Sequence, residues 1–416
     1  MRILYVCSDF GVPVYGHKGA SIHLRAMARA FTDIGHELRV LSPAIEREAN
    51  LEFEVPVETP VSLGPHAEAL AELRRVDRML GRLDSGHTAR VAQEIRNLLY
   101  NRALANATGA LRDFRADFVY ERYALFGFGG LDLARHLGIP HVLEVNAPLS
   151  LEQERARGLH LGDLARAIEH RLWTGSDALL VVSEELRAMA VEQGVAPERV
   201  HVLPNGVDAE RFTPSPQAAA RVRTELGLGA GPVIGFVGSL KAWHGTDVLL
   251  RAFASILKRW TDARLLLVGD GPAAQDLRHE ARELGIAAAV RSTGAIEHAR
   301  VPDYLAAMDI AVAPYLPSDD FYFSPIKVYE YLAAGKPVVA SRIGQIVPLA
   351  EAGFVHPAEA GDVDGLARAL NEVLAAPEAA ALRATRGRDW VLRERTWTSN
   401  ARRALEIATA RIVARA

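Results

Sequence analysis

Short apolar runs alternate with helical patterns from one end of the chain to the other, and this alternation narrows the fold more than any other feature. The runs are nearly continuous in apolar residues, the pattern of strands buried on both faces. Strands of that kind belong to parallel sheets with helices packed on each side. A first series falls at residues 3–7, 38–41, 118–121, 141–145, 178–182 and 200–203. A second falls at 233–237, 264–268, 289–292, 310–313, 337–340 and 353–356. Between them Leu203-Pro204-Asn205-Gly206-Val207-Asp208 is turn-rich, and Leu226-Gly227-Leu228-Gly229-Ala230-Gly231-Pro232 reinforces the break. At 416 residues the chain has room for two cores. The predicted class is α/β, with two doubly wound domains over residues 1–205 and 206–396. Ligand is expected at the carboxyl ends of the strands.

Composition excludes several classes. A net charge of −3 argues against a nucleic-acid binder that relies on phosphate contacts. The single cysteine, Cys7, lies in the first apolar run, so no intrachain disulfide forms. It reads as a small buried residue in a reducing compartment. No stretch is long and apolar enough to span a bilayer, and Met1-Arg2 leads straight into a strand pattern. The expected location is cytoplasmic, with the inner face of a membrane left open. Residues 67–115 are helical, rich in Arg and Leu, and lack a strand pattern. They either shape the ligand site of the domain that carries them or form amphipathic surface helices whose arginines are solvated, with Glu72, Asp77 and Glu94 interrupting the charge.

The segment Ser324-Pro325-Ile326-Lys327-Val328-Tyr329-Glu330 carries the most chemistry. Ser324 reads as an N-cap and Pro325 as the first helical residue. Gly335 ends the helix, and Lys336-Pro337 opens a strand. A helix begun this sharply offers N–H groups and a positive dipole end to a phosphate. Glu330, further along the helix, can turn its carboxylate towards hydroxyls beside that phosphate. Phosphate and sugar hydroxyls together suggest a nucleotide.

This segment resembles the donor-binding motif of family-4 retaining glycosyltransferases. The resemblance covers nearly the whole chain and is weakest over residues 50–115. It implies the GT-B fold: two Rossmann-like domains facing a central cleft, the first binding the acceptor and the second the nucleotide sugar. The terminal helix, about 397–416, would pack back on the first domain. Glu330 would bind the ribose, and the free backbone N–H groups at the helix start, in the donor-binding run Ser324, Pro325, Ile326 and Lys327, would hold the diphosphate. Gly19, in the glycine-bearing loop after the first strand, would lie near donor phosphate and acceptor. Gly269, Gly271 and Arg291 would line the base and ribose pocket, and Arg291 matches a position that contacts the base.

Three departures from the family's pattern stand out. Asn146 occupies the place of a histidine that approaches the transferred sugar. A neutral amide can position a sugar but cannot act as a base at neutral pH. Glu144 and Glu152 are nearby acids that read as catalytic or structural. In Gly238-Ser239-Leu240-Lys241-Ala242-Trp243-His244 the family's Arg and Lys positions hold Ser239 and His244. A protonated His244, with Lys241, would restore the cations that a leaving diphosphate needs, each charge-assisted bond contributing roughly 1.5–3 kcal/mol. The alternative is a helix-entry histidine beside a solvated lysine. Finally, Tyr322 stands eight positions before Glu330, where the family has an acid that binds a sugar hydroxyl; either Asp319 or Asp320 supplies the carboxylate instead, or Tyr322 and backbone amides alone hold the sugar.

The sequence thus predicts a retaining, metal-independent transferase that moves a hexose from a UDP- or GDP-sugar to an acceptor hydroxyl, forming an α-glycoside. No cofactor or metal is expected, since the histidines lack ligand spacing. The acceptor is left open among small molecules, lipid-linked saccharides and polysaccharide precursors, and no nucleic-acid partner is expected. A nucleotide-sugar epimerase of the same fold and a non-catalytic nucleotide-sugar-binding protein are the competing readings.

Overall fold

The computed structural model describes residues 1–16, 19–45, 53–58, 71–72, 75, 85–318 and 321–415. The chain divides into two compact units, Met1–Pro204 with Asn400–Ala416, and Asn205–Ser399.

The first unit is built on seven strands: β1 (Arg2–Cys7), β2 (Glu37–Leu41), β3 (Val57–Glu58), β4 (Phe118–Arg122), β5 (His141–Val145), β6 (Ala178–Val181) and β7 (Val200–Val202). They lie in the order β3-β2-β1-β4-β5-β6-β7, and every pair is parallel. The chain starts in mid-sheet, runs out to one edge and returns to the other side of β1. That reversal leaves a notch between the carboxyl ends of β1 and β4, the usual ligand position in such sheets. Ile3 to Cys7 are fully buried, which is why the run carries no polar alternation.

The helix Ser85–Leu111 is a core element of this unit. Tyr100, Leu104 and Leu111 pack in one cluster with Leu4, Val6 and Val119. Glu94 is buried and accepts hydrogen bonds from the backbone N–H groups of His160 (3.0 Å) and Leu161 (2.8 Å). The surface-helix reading therefore fails for this stretch, and Glu94 is a turn-holding carboxylate. Asp77 lies outside the described residues. The terminal helix Trp397–Arg415 joins the unit through Asn400, which donates to Pro204 O (2.7 Å), and Arg415, which grips the Asp177 carboxylate.

The second unit holds β8 (Val233–Val237), β9 (Arg264–Val268), β10 (Val290–Ser292), β11 (Ile310–Ala313), β12 (Val338–Ser341) and β13 (His356–Ala358). Their order is β10-β9-β8-β11-β12-β13, again all parallel, with the reversal between β8 and β11. Each run singled out in the sequence is a strand except that the last begins three residues late. There the helix Ile346–Glu351 is still closing: Gly353 N donates to Ala350 O and Phe354 N to Leu349 O. Two-residue β3 carries too little pattern to be seen in sequence. No helix among the described residues is long and apolar enough to cross a membrane.

Candidate functional site

In the second unit the loops after β8 and β9 press together backbone to backbone. Gly238 N donates to Val268 O (2.9 Å), and Leu240 N to Asp270 O (2.9 Å). A Cβ on Gly269 would lie 2.1 Å from Gly238 O, and one on Gly271 2.5 Å from Leu240 O. Close approach alone therefore requires both glycines. Ser239 and Lys241 are exposed on this loop, and Lys241 carries its charge in solvent.

The helix after β11 runs Ile326–Ala333, one residue later than expected. Pro325, not Ser324, is its N-cap, and no side chain caps it. The Ser324 hydroxyl is engaged elsewhere, accepting from Asn205 N (2.9 Å). The helix ends as the sequence indicates. Gly335 is left-handed (φ 66°), its N–H donates to Leu332 O, and Lys336 N donates to Tyr331 O.

Lys327, in the first turn, is the unusual residue of this helix. The residue is half-buried, yet its ammonium is enclosed with no hydrogen-bond partner among the described residues. Nζ lies 4.2 Å from the Phe236 ring centre and 5.3 Å from that of Tyr315. A Cβ on Gly238 would stand 2.8 Å from it. Burial pulls its pKa down to about 7, against the attraction of Glu330. An enclosed cation without a partner costs folding energy, and it sits where the loop after β8 faces the helix start.

His244 does not carry the charge expected of it. It is buried, its ring tilted 49° to that of Trp243 with centres 3.9 Å apart, and its Nδ1–H donates to Ser239 O. Burial, then the positive charge of Lys327, pulls its pKa down to about 3. At neutral pH the ring is neutral, with Nε2 as an acceptor. Lys327 on the helix and Lys241 on the loop are the candidate cations of this site. Trp243, 39% exposed, lies nearly parallel to Tyr315 and Phe323, and buried Tyr322 packs on Phe323 at 4.5 Å. Asp319 and Asp320 lie outside the described residues.

Glu330 is buried on the same helix, and its Oε1 accepts from His298 Nε2 (2.9 Å). Arg211 donates to His298 Nδ1 (3.1 Å), which fixes the tautomer that can donate to Glu330. Both partners were missed in sequence, because nothing local links residues 211, 298 and 330. Arg291 lies in β10 with its guanidinium turned to backbone carbonyls. Its guanidinium donates to Leu226 O, Ala288 O and Val290 O, tying β10 to a neighbouring turn.

In the first unit, polar groups gather at the β1/β4 notch. Glu144 is buried at the end of β5, with Tyr120 OH on Oε2 (3.0 Å) and Asn146 Nδ2 (2.8 Å) and His23 Nε2 on Oε1. Arg122 lies 3.5 Å away. Burial opposes its ionisation, but His23, Arg122 and Asn146 outweigh that and hold the pKa at about 2. An acid held so firmly ionised cannot donate a proton at neutral pH. Glu152 is exposed on the helix Leu149–Arg157. Gly19 opens the helix Gly19–Asp33 and is exposed, with open space where a Cβ would stand. Cys7 is buried, as the sequence suggests, and burial pushes its thiol up to about 12.

Two family models match the chain, described as Glycosyl transferases group 1 over residues 231–376 and Glycosyltransferase Family 4 over residues 17–211. Among curated relatives, a Mycolicibacterium smegmatis GDP-mannose-dependent alpha-(1-6)-phosphatidylinositol monomannoside mannosyltransferase is 32% identical over 258 residues, covering 61% of this chain and 67% of that protein. A 2-deoxystreptamine glucosyltransferase from Streptomyces kanamyceticus is 30% identical over 271 residues, covering 63% and 68%. Among solved structures, Anabaena HepE in complex with UDP superposes with a TM-score of 0.74 at 19% identity, covering 99% of this chain and 100% of that one. The same protein has been solved with UDP-glucose. This likeness shows the fold, GT-B, with two Rossmann-like units.

Proposed function

Because the chain belongs to glycosyltransferase family 4, we propose that it is a retaining, metal-independent hexosyltransferase. It takes a hexose from a nucleotide diphosphate sugar and forms an α-glycoside on an acceptor hydroxyl. The observation that carries this reading is the enclosed ammonium of Lys327, without a hydrogen-bond partner among the described residues, at the start of the helix Ile326–Ala333. A diphosphate seated against the helix start and the loop after β8 would supply the missing counter-charge. As the glycosidic bond breaks, negative charge grows on that diphosphate, and a preplaced cation stabilises it; one such donor contributes about 2.7–4 kcal/mol. Glu330, oriented by His298, is the ribose-binding carboxylate in this reading. Arg291 drops out of the base contact, and Lys241 acts at most as a solvated charge near the phosphates.

The test uses GDP-mannose and UDP-glucose as donors, with phosphatidylinositol monomannoside and 2-deoxystreptamine as first acceptors, those being the substrates named for the relatives. Acceptor-dependent nucleotide release, undiminished by excess chelator, with an α-linked product by NMR, is the expected result. A β-linked product, magnesium-reversible loss of turnover, or conversion of the donor without any acceptor would overturn it.

A further inference from the structure

We propose that Asn146 meets a carbohydrate substrate with its amide oxygen, as acceptor for a substrate hydroxyl, and that Glu144 is the positioning residue that imposes this orientation. The inference rests on the glycosyltransferase reading above and adds which atom of Asn146 does the work. Asn146 follows β5 at the carboxyl edge of the sheet, half-buried, beside the β1/β4 notch. An amide carries a donor end and an acceptor end, and its partners decide which way it points. Here the partner is a carboxylate. Glu144 lies within reach of His23, Arg122, Tyr120 and Asn146, four groups that all favour its ionised form. An ionised carboxylate only accepts hydrogen bonds, so Asn146 must turn its NH2 inward, at 2.8 Å from Oε1. Its Oδ1 is left pointing away from Glu144, with no donor among the described residues. An oxygen in that state recognises an O–H group.

Among the described residues, the charged and titratable groups facing Glu144 are Tyr5 and Cys7 of β1, His23 of the helix Gly19–Asp33, and Tyr120 and Arg122 of β4. Burial holds the two phenols un-ionised well above neutral pH. With its own pKa held at about 2, the Glu144 carboxylate stays ionised over the ordinary working range.

This gives Asn146→Asp a distinctive behaviour. Protonated, the introduced carboxyl can donate to Glu144 and present its carbonyl oxygen outward, reproducing the wild-type geometry. Ionised, it repels Glu144 across the same short gap, and the two carboxyls titrate as a coupled pair. Turnover of GDP-mannose and UDP-glucose by wild type, Asn146→Asp, Asn146→Ala, Glu144→Gln and the Ala/Gln double variant tests the idea, with Kd for GDP and UDP measured in parallel. The expected result is that Asn146→Asp falls at least tenfold relative to wild type between pH 5 and pH 8. Asn146→Ala and Glu144→Gln should each lose about tenfold or more in kcat with nucleotide Kd within twofold. The double variant should lie within twofold of Asn146→Ala, because Glu144 acts through Asn146.

Additive losses in the double variant, or an Asn146→Asp profile parallel to wild type, would overturn the proposal while leaving the glycosyltransferase reading intact. If Glu144→Gln fails to fold, the Asn146→Asp profile decides alone. A wild-type chain inactive on every donor and acceptor overturns the glycosyltransferase reading, and this inference with it.

Discussion

Each unit buries a charged side chain at the reversal point of its sheet, and the two charges are treated in opposite ways. Glu144 has a partner on each oxygen and a guanidinium nearby. Lys327 has an enclosed ammonium and, among the described residues, no hydrogen-bond partner, with aromatic faces for neighbours. A buried charge with a complete set of partners is held in place by the fold and holds others in turn. A buried charge without partners is a standing cost, reasonable where a ligand completes it. Glu144 thus reads as part of the scaffold that orients Asn146, and Lys327 as the group that meets the substrate's charge.

The largest effect expected from this contrast is on stability. Glu144→Ala strands His23 and Arg122 without their counter-ion and should lower the unfolding free energy by about 3–5 kcal/mol, read by denaturant titration. A variant as stable as wild type would mean that the cluster reorganises freely and holds nothing in place.

Lys327→Met should act in the opposite sense. Turnover should fall by about 2.7–4 kcal/mol of barrier, while the unliganded protein becomes no less stable. The pH dependence has a definite sign. Unfolded, the lysine keeps its proton to about pH 10.5; folded, it releases it near 7. Between those values the unfolded state binds more protons, so wild-type stability should rise with pH relative to Lys327→Met. Parallel stability curves for the two proteins from pH 7 to 10 would show that the ammonium is not enclosed in solution.

Much of this arrangement is legible in the sequence, and the remainder fails for a common reason. Strand runs such as 233–237 and the Gly335 helix end announce themselves because their causes are local: two-sided burial and a left-handed residue. Ser324 misled because its hydroxyl is engaged by Asn205, 119 residues away in sequence. His244 misled because its charge state is set by burial and by Lys327, neither visible in the loop itself. His23, Arg122, His298 and Arg211 were missed because each matters only through a distant partner. Sequence shows where backbone must bend, and much less about which side chains meet there.

Smaller effects sharpen the contrast within the second unit. Glu330→Gln keeps its shape and loses its charge, so nucleotide affinity should drop by roughly 1–2 kcal/mol by calorimetry. Unchanged affinity for the preferred nucleotide would remove Glu330 from the ribose. Lys241→Ala should cost least, under about 1 kcal/mol in kcat/KM and shrinking with added salt, because its charge is solvated. A loss as large as that of Lys327→Met would return the catalytic cation to the loop.

The most direct test is proton uptake when a diphosphate arrives. Lys327 is mostly neutral at pH 8 in the empty protein and should be charged once UDP or GDP is seated beside it. Titration calorimetry at pH 8 in two buffers of different ionisation enthalpy reads the protons taken up per nucleotide bound. Wild type should take up about one proton, and Lys327→Met none. Nucleotide binding with no proton uptake, or with equal uptake by both proteins, would contradict the assignment of Lys327 as the cation that receives the leaving diphosphate.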